Sequence, residues 1–104
     1  MWMGIMGTQE KLKQKENLDL NTPKQYKVIV HNDDATPMEF VIELLVNTFQ
    51  HTRQRAEEIT LTIHVDGTGI AGIYYYEIAE QKVAEGIIAS RSMGFPLVLE
   101  IEEI

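Results

Sequence analysis

Four residues, Thr36-Pro37-Met38-Glu39, fix where a helix must begin and so order the chain around them. Thr36 is placed to cap the first turn, and Pro37 brings a pre-set φ to the first helical position. Glu39, three residues after the Thr, can close a capping box. Immediately ahead stand Asn32, Asp33 and Asp34. A helix anchored this way presents a short loop crowded with acceptors, suited to a small cation such as an ammonium group or a metal ion.

Beyond Lys24 the hydrophobic period alternates between two and 3.6. In Tyr26-Lys27-Val28-Ile29-Val30-His31 every second residue shares a face, which predicts a first strand. Val41, Leu44, Leu45 and Phe49 then follow helical spacing, so the first helix is expected from about Pro37 to Gln50. Thr52 can cap a second helix with Ala56, Ile59 and Ile63 inward and Gly67 as its stop. Leu61-Thr62-Ile63-His64-Val65 is β-branched enough that a strand remains an alternative there. Gly69 to Tyr75 read as a second strand, and Glu77 to Arg91 as a third helix buried through Ile78, Ala79, Val83 and Ile87. Gly94 and Pro96 end it, and Leu97 to Glu102 form a last strand with Leu97, Leu99 and Ile101 inward. The expected class is α+β: a compact two-layer sandwich in the order β-α-α-β-α-β, a three-stranded antiparallel sheet with three helices on one face.

At 104 residues and 44% hydrophobic, the chain has material for one core. The division expected is a flexible N-terminal extension over residues 1–24 and one domain over 25–104. The extension has few branched or aromatic residues between Gln9 and Pro23, and Asn21-Thr22-Pro23 reads as an exit turn. No cysteine is present, so disulfides and thiolate metal sites are excluded. The cytoplasm or an organelle interior fits that composition. Met1 to Met6 is apolar but too short for a signal-peptide core, and no segment approaches membrane-spanning length. Residues 25–104 carry thirteen acidic against five basic residues. That sign repels phosphate backbones, so neither nucleic acid nor membrane is expected as a partner.

Several motifs point to chemistry and fail. Gly67-Thr68-Gly69-Ile70-Ala71-Gly72 matches the dinucleotide pattern, yet it leads into a strand rather than a helix. His31, His51 and His64 with Asp33 and Asp34 match no recognised ligand spacing, so no metal or other cofactor is expected. No Ser or Thr stands in a nucleophile elbow, and the chain is read as non-enzymatic. The run Tyr74-Tyr75-Tyr76 reads as a strand with one ring buried and the others outward.

Tyr26-Lys27-Val28-Ile29, Asn32-Asp33-Asp34-Ala35-Thr36-Pro37-Met38-Glu39-Phe40-Val41, Ile63-His64, Gly67, Gly72 and Glu77-Ile78-Ala79-Glu80-Gln81-Lys82-Val83 closely resemble the ClpS adaptor family. The resemblance spans residues 25–104. It implies an adaptor that binds proteins with a bulky apolar first residue (Leu, Phe, Tyr or Trp, the N-degron). Such an adaptor delivers them to the ATP-dependent Clp protease by docking on the N-terminal domain of ClpA or ClpC. On this likeness Asn32, Asp33 and His64 hold the α-amino group. Thr36, Met38, Val41, Thr60, Ile63 and Leu97 or Leu99 line the side-chain pocket. Glu77 and Lys82 dock the unfoldase, and the flexible leader promotes hand-off.

The chemistry is consistent with those roles. An ammonium has three donors, and a carboxylate, an amide oxygen and a ring nitrogen accept one each. Such bonds contribute about 1.5–3 kcal/mol each when shielded from water. Burying a Leu or Phe adds roughly 1.5–3 kcal/mol. After association costs, an affinity near micromolar is expected. Two positions depart from the family: Thr60 stands where relatives often carry Met, making the cavity wider or more polar, and Ala35 replaces a larger side chain. The other reading is a protein-interaction domain of similar fold, like the C-terminal domain of the ribosomal stalk protein, which binds through a helix surface whatever its partner's first residue. A monomer in a bacterial cytoplasm, or in a plastid stroma, is the simplest expectation.

Overall fold

A computed structural model describes residues 23–104, so most of the expected extension over 1–24 lies outside the described residues. Three strands and three helices follow in the order β1 (Gln25–His31), α1 (Met38–Asn47), α2 (Arg53–Asp66), β2 (Thr68–Tyr75), α3 (Tyr76–Ser92) and β3 (Val98–Glu103). This is the expected β-α-α-β-α-β sandwich.

The sheet order is β2-β1-β3, antiparallel throughout. Val28 and Val30 lie fully buried on the inner face of β1, opposite Ile101 and Leu99 of β3. On the β2 side Val28 faces Gly72 while Ile29 faces Ile70. Ala71 is therefore the extra residue of a β-bulge. Its carbonyl accepts a hydrogen bond from His51 Nε2 at 2.5 Å, which pins the bulge to the α1–α2 turn.

Each helix contributes one apolar stripe to the core: Val41, Ile42, Leu44 and Leu45 from α1, and Ala56, Ile59 and Ile63 from α2. Thr52 caps α2 by accepting from the Arg55 amide at 3.1 Å, and Gly67 closes it in the left-handed conformation at φ 94°. These two signals decide the ambiguous Leu61–Val65 run. It is helical, with Leu61 and Val65 exposed, because a helix already nucleated and terminated outweighs a weak β preference.

Three other expectations need correction. The first helix ends at Asn47, not Gln50: the Thr48 amide bonds Leu44 O, and Gln50 turns left-handed at φ 57°. Ile78 is 44% exposed rather than buried. The inward row of α3 runs through Ala79, Val83, Gly86 and Ser90, and Ile78, about 100° around the helix from Ala79, falls on the solvent side. Tyr76 belongs to that helix, so the three tyrosines do not form one strand.

Close approach of α2 to β2 depends on Gly69, where an added Cβ would stand 2.6 Å from Ile63 Cγ1 and 3.5 Å from Ile59 O. Gly69→Ala is expected to lower unfolding stability by roughly 1–3 kcal/mol, since Ile63 is itself fixed in the core. Urea denaturation checks this; an unchanged midpoint would mean that α2 does not rest on the strand there.

Candidate functional site

The loop from Asn32 to Pro37 is organised by one side chain. Asp33 Oδ1 accepts from the amides of Ala35 at 2.8 Å and Thr36 at 2.7 Å, and Oδ2 accepts from the Thr36 hydroxyl at 2.8 Å. Thr36 therefore does not cap α1. The cap position belongs to Pro37, extended at ψ 144°, with no side-chain bond. Nor does Glu39 close a capping box: it pairs with Arg53 of α2 at 2.9 Å. The physical reason is position: with Pro37 extended at the cap, Thr36 stands one residue outside the helix, where its hydroxyl donates to Asp33.

Partial burial, the largest single influence, pushes the Asp33 carboxyl upward. Its bonds from the Thr36 hydroxyl, the Thr36 amide and the Ala35 amide, with the Arg91 guanidinium nearby, together outweigh that influence and hold it below the ordinary carboxylate value. Three bonds leave an ionised carboxylate with one of about four lone-pair positions free.

A backbone bond then joins this loop to the end of α2. The Asn32 amide donates to Gly67 O at 2.8 Å. His64 stands in the last turn of that helix, exposed, as is Asn32. Asn32, Asp33 and the His64 turn are thus neighbours around one rim.

Below the rim run the walls. Arg53, Glu57, Thr60 and His64 follow i, i+4, i+7, i+11 spacing and form one flank of α2. The Arg53–Glu39 pair turns that flank toward the start of α1. Val41, Thr60, Ile63 and Leu97 are all at least 95% buried, Thr36 is half-buried, and Met38 is exposed. Leu99 sits deeper: it pairs with Val30 and would lie 2.9 Å from a Cβ at Gly86, which places it in the core beneath α3.

Periodicity did not reveal the brace beside this site. Arg91 Nη1 donates to Phe95 O at 3.1 Å and Leu97 O at 2.9 Å, and Phe95 meets Phe40 edge-to-face with centroids 5.0 Å apart. A basic residue in the last helical turn was the only signal available.

The remaining expected positions lie elsewhere. Glu77 is exposed in the first turn of α3, beside a hollow of about 440 Å³ bounded by Lys24, Tyr26, Tyr75, Tyr76 and Ile78. Lys82 Nζ donates to Thr48 O at 2.7 Å and to Gln50 Oε1, so its ammonium closes the C-terminal end of α1. A shallow hollow of about 460 Å³ lies at the β2 edge of the sheet, between Lys27 and Ile29 of β1, Arg55 and Thr62 of α2, and Ile70. The histidines are dispersed: His31 pairs with Glu100, His51 with Ala71 O, and His64 ends α2. No metal-competent cluster of three or more ligands occurs among the described residues.

A loop of acceptors bonded to the end of α2, beside a layer of buried apolar side chains, is a geometry suited to recognition. Comparison with known proteins makes this specific. Residues 21–100 match the model of the ATP-dependent Clp protease adaptor protein ClpS. Adapter proteins of that name from Clostridium acetobutylicum and Shewanella denitrificans are 46% and 44% identical. The first match covers 91% of this chain and 92% of the relative, the second 97% and 99%. Among solved structures, Agrobacterium tumefaciens ClpS2 bound to L-phenylalaninamide superposes with a TM-score of 0.77 at 34% identity, over 80% of this chain and all of that one. The chain belongs to the ClpS family of Clp protease adaptors.

Asp33→Ala frees two amides and a hydroxyl, and an expected loss of about 1–2 kcal/mol follows above the ordinary carboxylate value near pH 4. The folded carboxyl titrates below its unfolded value, so its contribution is full above that pH and disappears as pH falls through the folded value. Chemical denaturation of both proteins at pH 7 and pH 3 checks this; a difference that stays constant would contradict it.

Proposed function

We propose that this adaptor captures proteins whose first residue is bulky and apolar, and hands them to the Clp unfoldase. The Asn32–Gly67 bond at 2.8 Å carries the reading, because it sets the acceptor loop against the His64 turn over buried walls. L-phenylalaninamide, the ligand of the Agrobacterium relative, supports it: a free amine, a benzyl side chain and a blocked carboxyl are the features of a chain's first residue.

In this reading the α-ammonium donates to the Asn32 amide oxygen, the free lone pair of Asp33 and a neutral nitrogen of His64. The first side chain descends between Thr36, Met38, Val41, Thr60, Ile63 and Leu97. Leu99 supports that floor from the core. Catalysis has no part in this; the domain supplies selectivity and proximity.

Docking on the N-terminal domain of ClpA or ClpC uses the exposed Glu77 end of α3, away from the rim. Lys82 contributes there by fixing the adjoining α1–α2 turn. The adaptor works as a monomer in the cytoplasm.

Fluorescence anisotropy with a labelled peptide beginning with Phe tests the central step. Binding near micromolar is expected, abolished by acetylating the peptide amine and weakened about tenfold or more by His64→Ala. Equal binding of free and acetylated peptides would defeat the proposal.

A further inference from the structure

Among the side chains of the described residues, one buried polar atom has no hydrogen-bond partner: Thr60 Oγ1, on a residue only 2% exposed. A Thr in a helix can usually satisfy itself by donating to the carbonyl one turn back, and this protein does so at comparable sites. Thr62 donates to Glu58 O at 3.2 Å, and the buried Ser90 donates to Gly86 O at 2.7 Å. Thr60 makes no such bond with Ala56 O. Leaving a hydroxyl dry and unbonded is unfavourable, so its presence at this position calls for a partner from outside the fold.

Its location says which partner. Thr60 lies one turn before His64 on the flank of α2 that faces α1. Helical side chains lean toward the N-terminus, so the His64 ring covers the turn that carries Thr60. A group held by its amine beside His64 therefore lies one helical turn, about 5.4 Å along α2, from Thr60. The side chains of Leu and Phe offer nothing to bond there. The ring hydroxyl of Tyr, and the indole N–H of Trp, extend far enough and carry a donor.

We propose that Thr60 Oγ1 is the hydrogen-bond acceptor for an N-terminal Tyr or Trp side chain, making Thr60 a specificity-determining residue of this adaptor. The inference rests on the amine-anchored binding proposed above. The hydroxyl is closed from water in the empty protein, so an entering side chain parts the walls around it. All four bulky residues meet that opening cost, but only a ring donor regains a hydrogen bond at the bottom. Selectivity then arises from a buried group that is satisfied by one ligand class and left unpaired by another.

The test compares peptides identical except for a first residue of Phe, Tyr or Trp, each free and acetylated, against wild type and Thr60→Val. Valine keeps the shape and removes the hydroxyl. The Tyr-to-Phe affinity ratio is expected to fall about five- to tenfold in Thr60→Val, whatever the change in Phe affinity itself. Thr60→Ser should preserve the ratio, and Thr60→Val should melt no lower than wild type because it discards an unbonded polar atom. Thr60→Ala repeats the ratio measurement if Val does not fold. An unchanged ratio, or a lowered melting temperature in Thr60→Val showing that the hydroxyl is used within the fold, overturns the inference. If wild type binds the acetylated Phe peptide as well as the free one, the functional reading itself fails, an outcome separate from a constant ratio among free peptides.

Discussion

The Asp33 carboxylate is the constraint on which the rest of the site depends. It gathers two amides and a hydroxyl within three residues, and so shapes the loop that leads into α1. Since α1 has no side-chain cap of its own, the direction in which that helix leaves the loop follows from this turn. The same turn leaves the preceding Asn32 amide free to reach Gly67 O, which brings strand, loop and the end of α2 to one point. Remove the carboxylate and both the acceptor rim and the first helix lose their common reference.

Such an arrangement divides labour in a physically sensible way. Asn32 and His64 are exposed, while Val41, Thr60, Ile63 and Leu97 are core residues held at interior density. Arg91 and the Phe40–Phe95 pair brace the α3–β3 connection against the start of α1.

Much of the fold was legible in the sequence because its punctuation is strong and local. Thr52 caps, Gly67 stops, and β3 alternates in and out as its spacing predicts. What resisted reading were contests between neighbours and contacts across long separations. Whether Thr36 caps the helix or donates to Asp33 depends on which residue takes the cap position, which a capping motif does not settle. Lys82 reaches Thr48 and Gln50 across more than thirty positions, so pattern alone left it looking like an ordinary surface lysine. Ile78 was misplaced because it stands about 100° around the helix from Ala79, beyond the edge of the stripe that Ala79, Val83 and Ile87 form. The acceptor rim was legible as chemistry through Asn32, Asp33 and the family likeness; the unbonded state of Thr60 was not, since it concerns a bond that the fold omits.

Nitrogen–proton correlation spectra of the labelled protein, titrated with an unlabelled peptide beginning with Phe, address the central claim most directly. The account predicts shifts concentrated at the amides of Asn32 to Thr36, at Thr60 to Gly67 and at Leu97, with the Tyr75–Ile78 end of α3 unmoved. Shifts confined to that α3 end, with the Asp33 turn and the His64 turn silent, would contradict it.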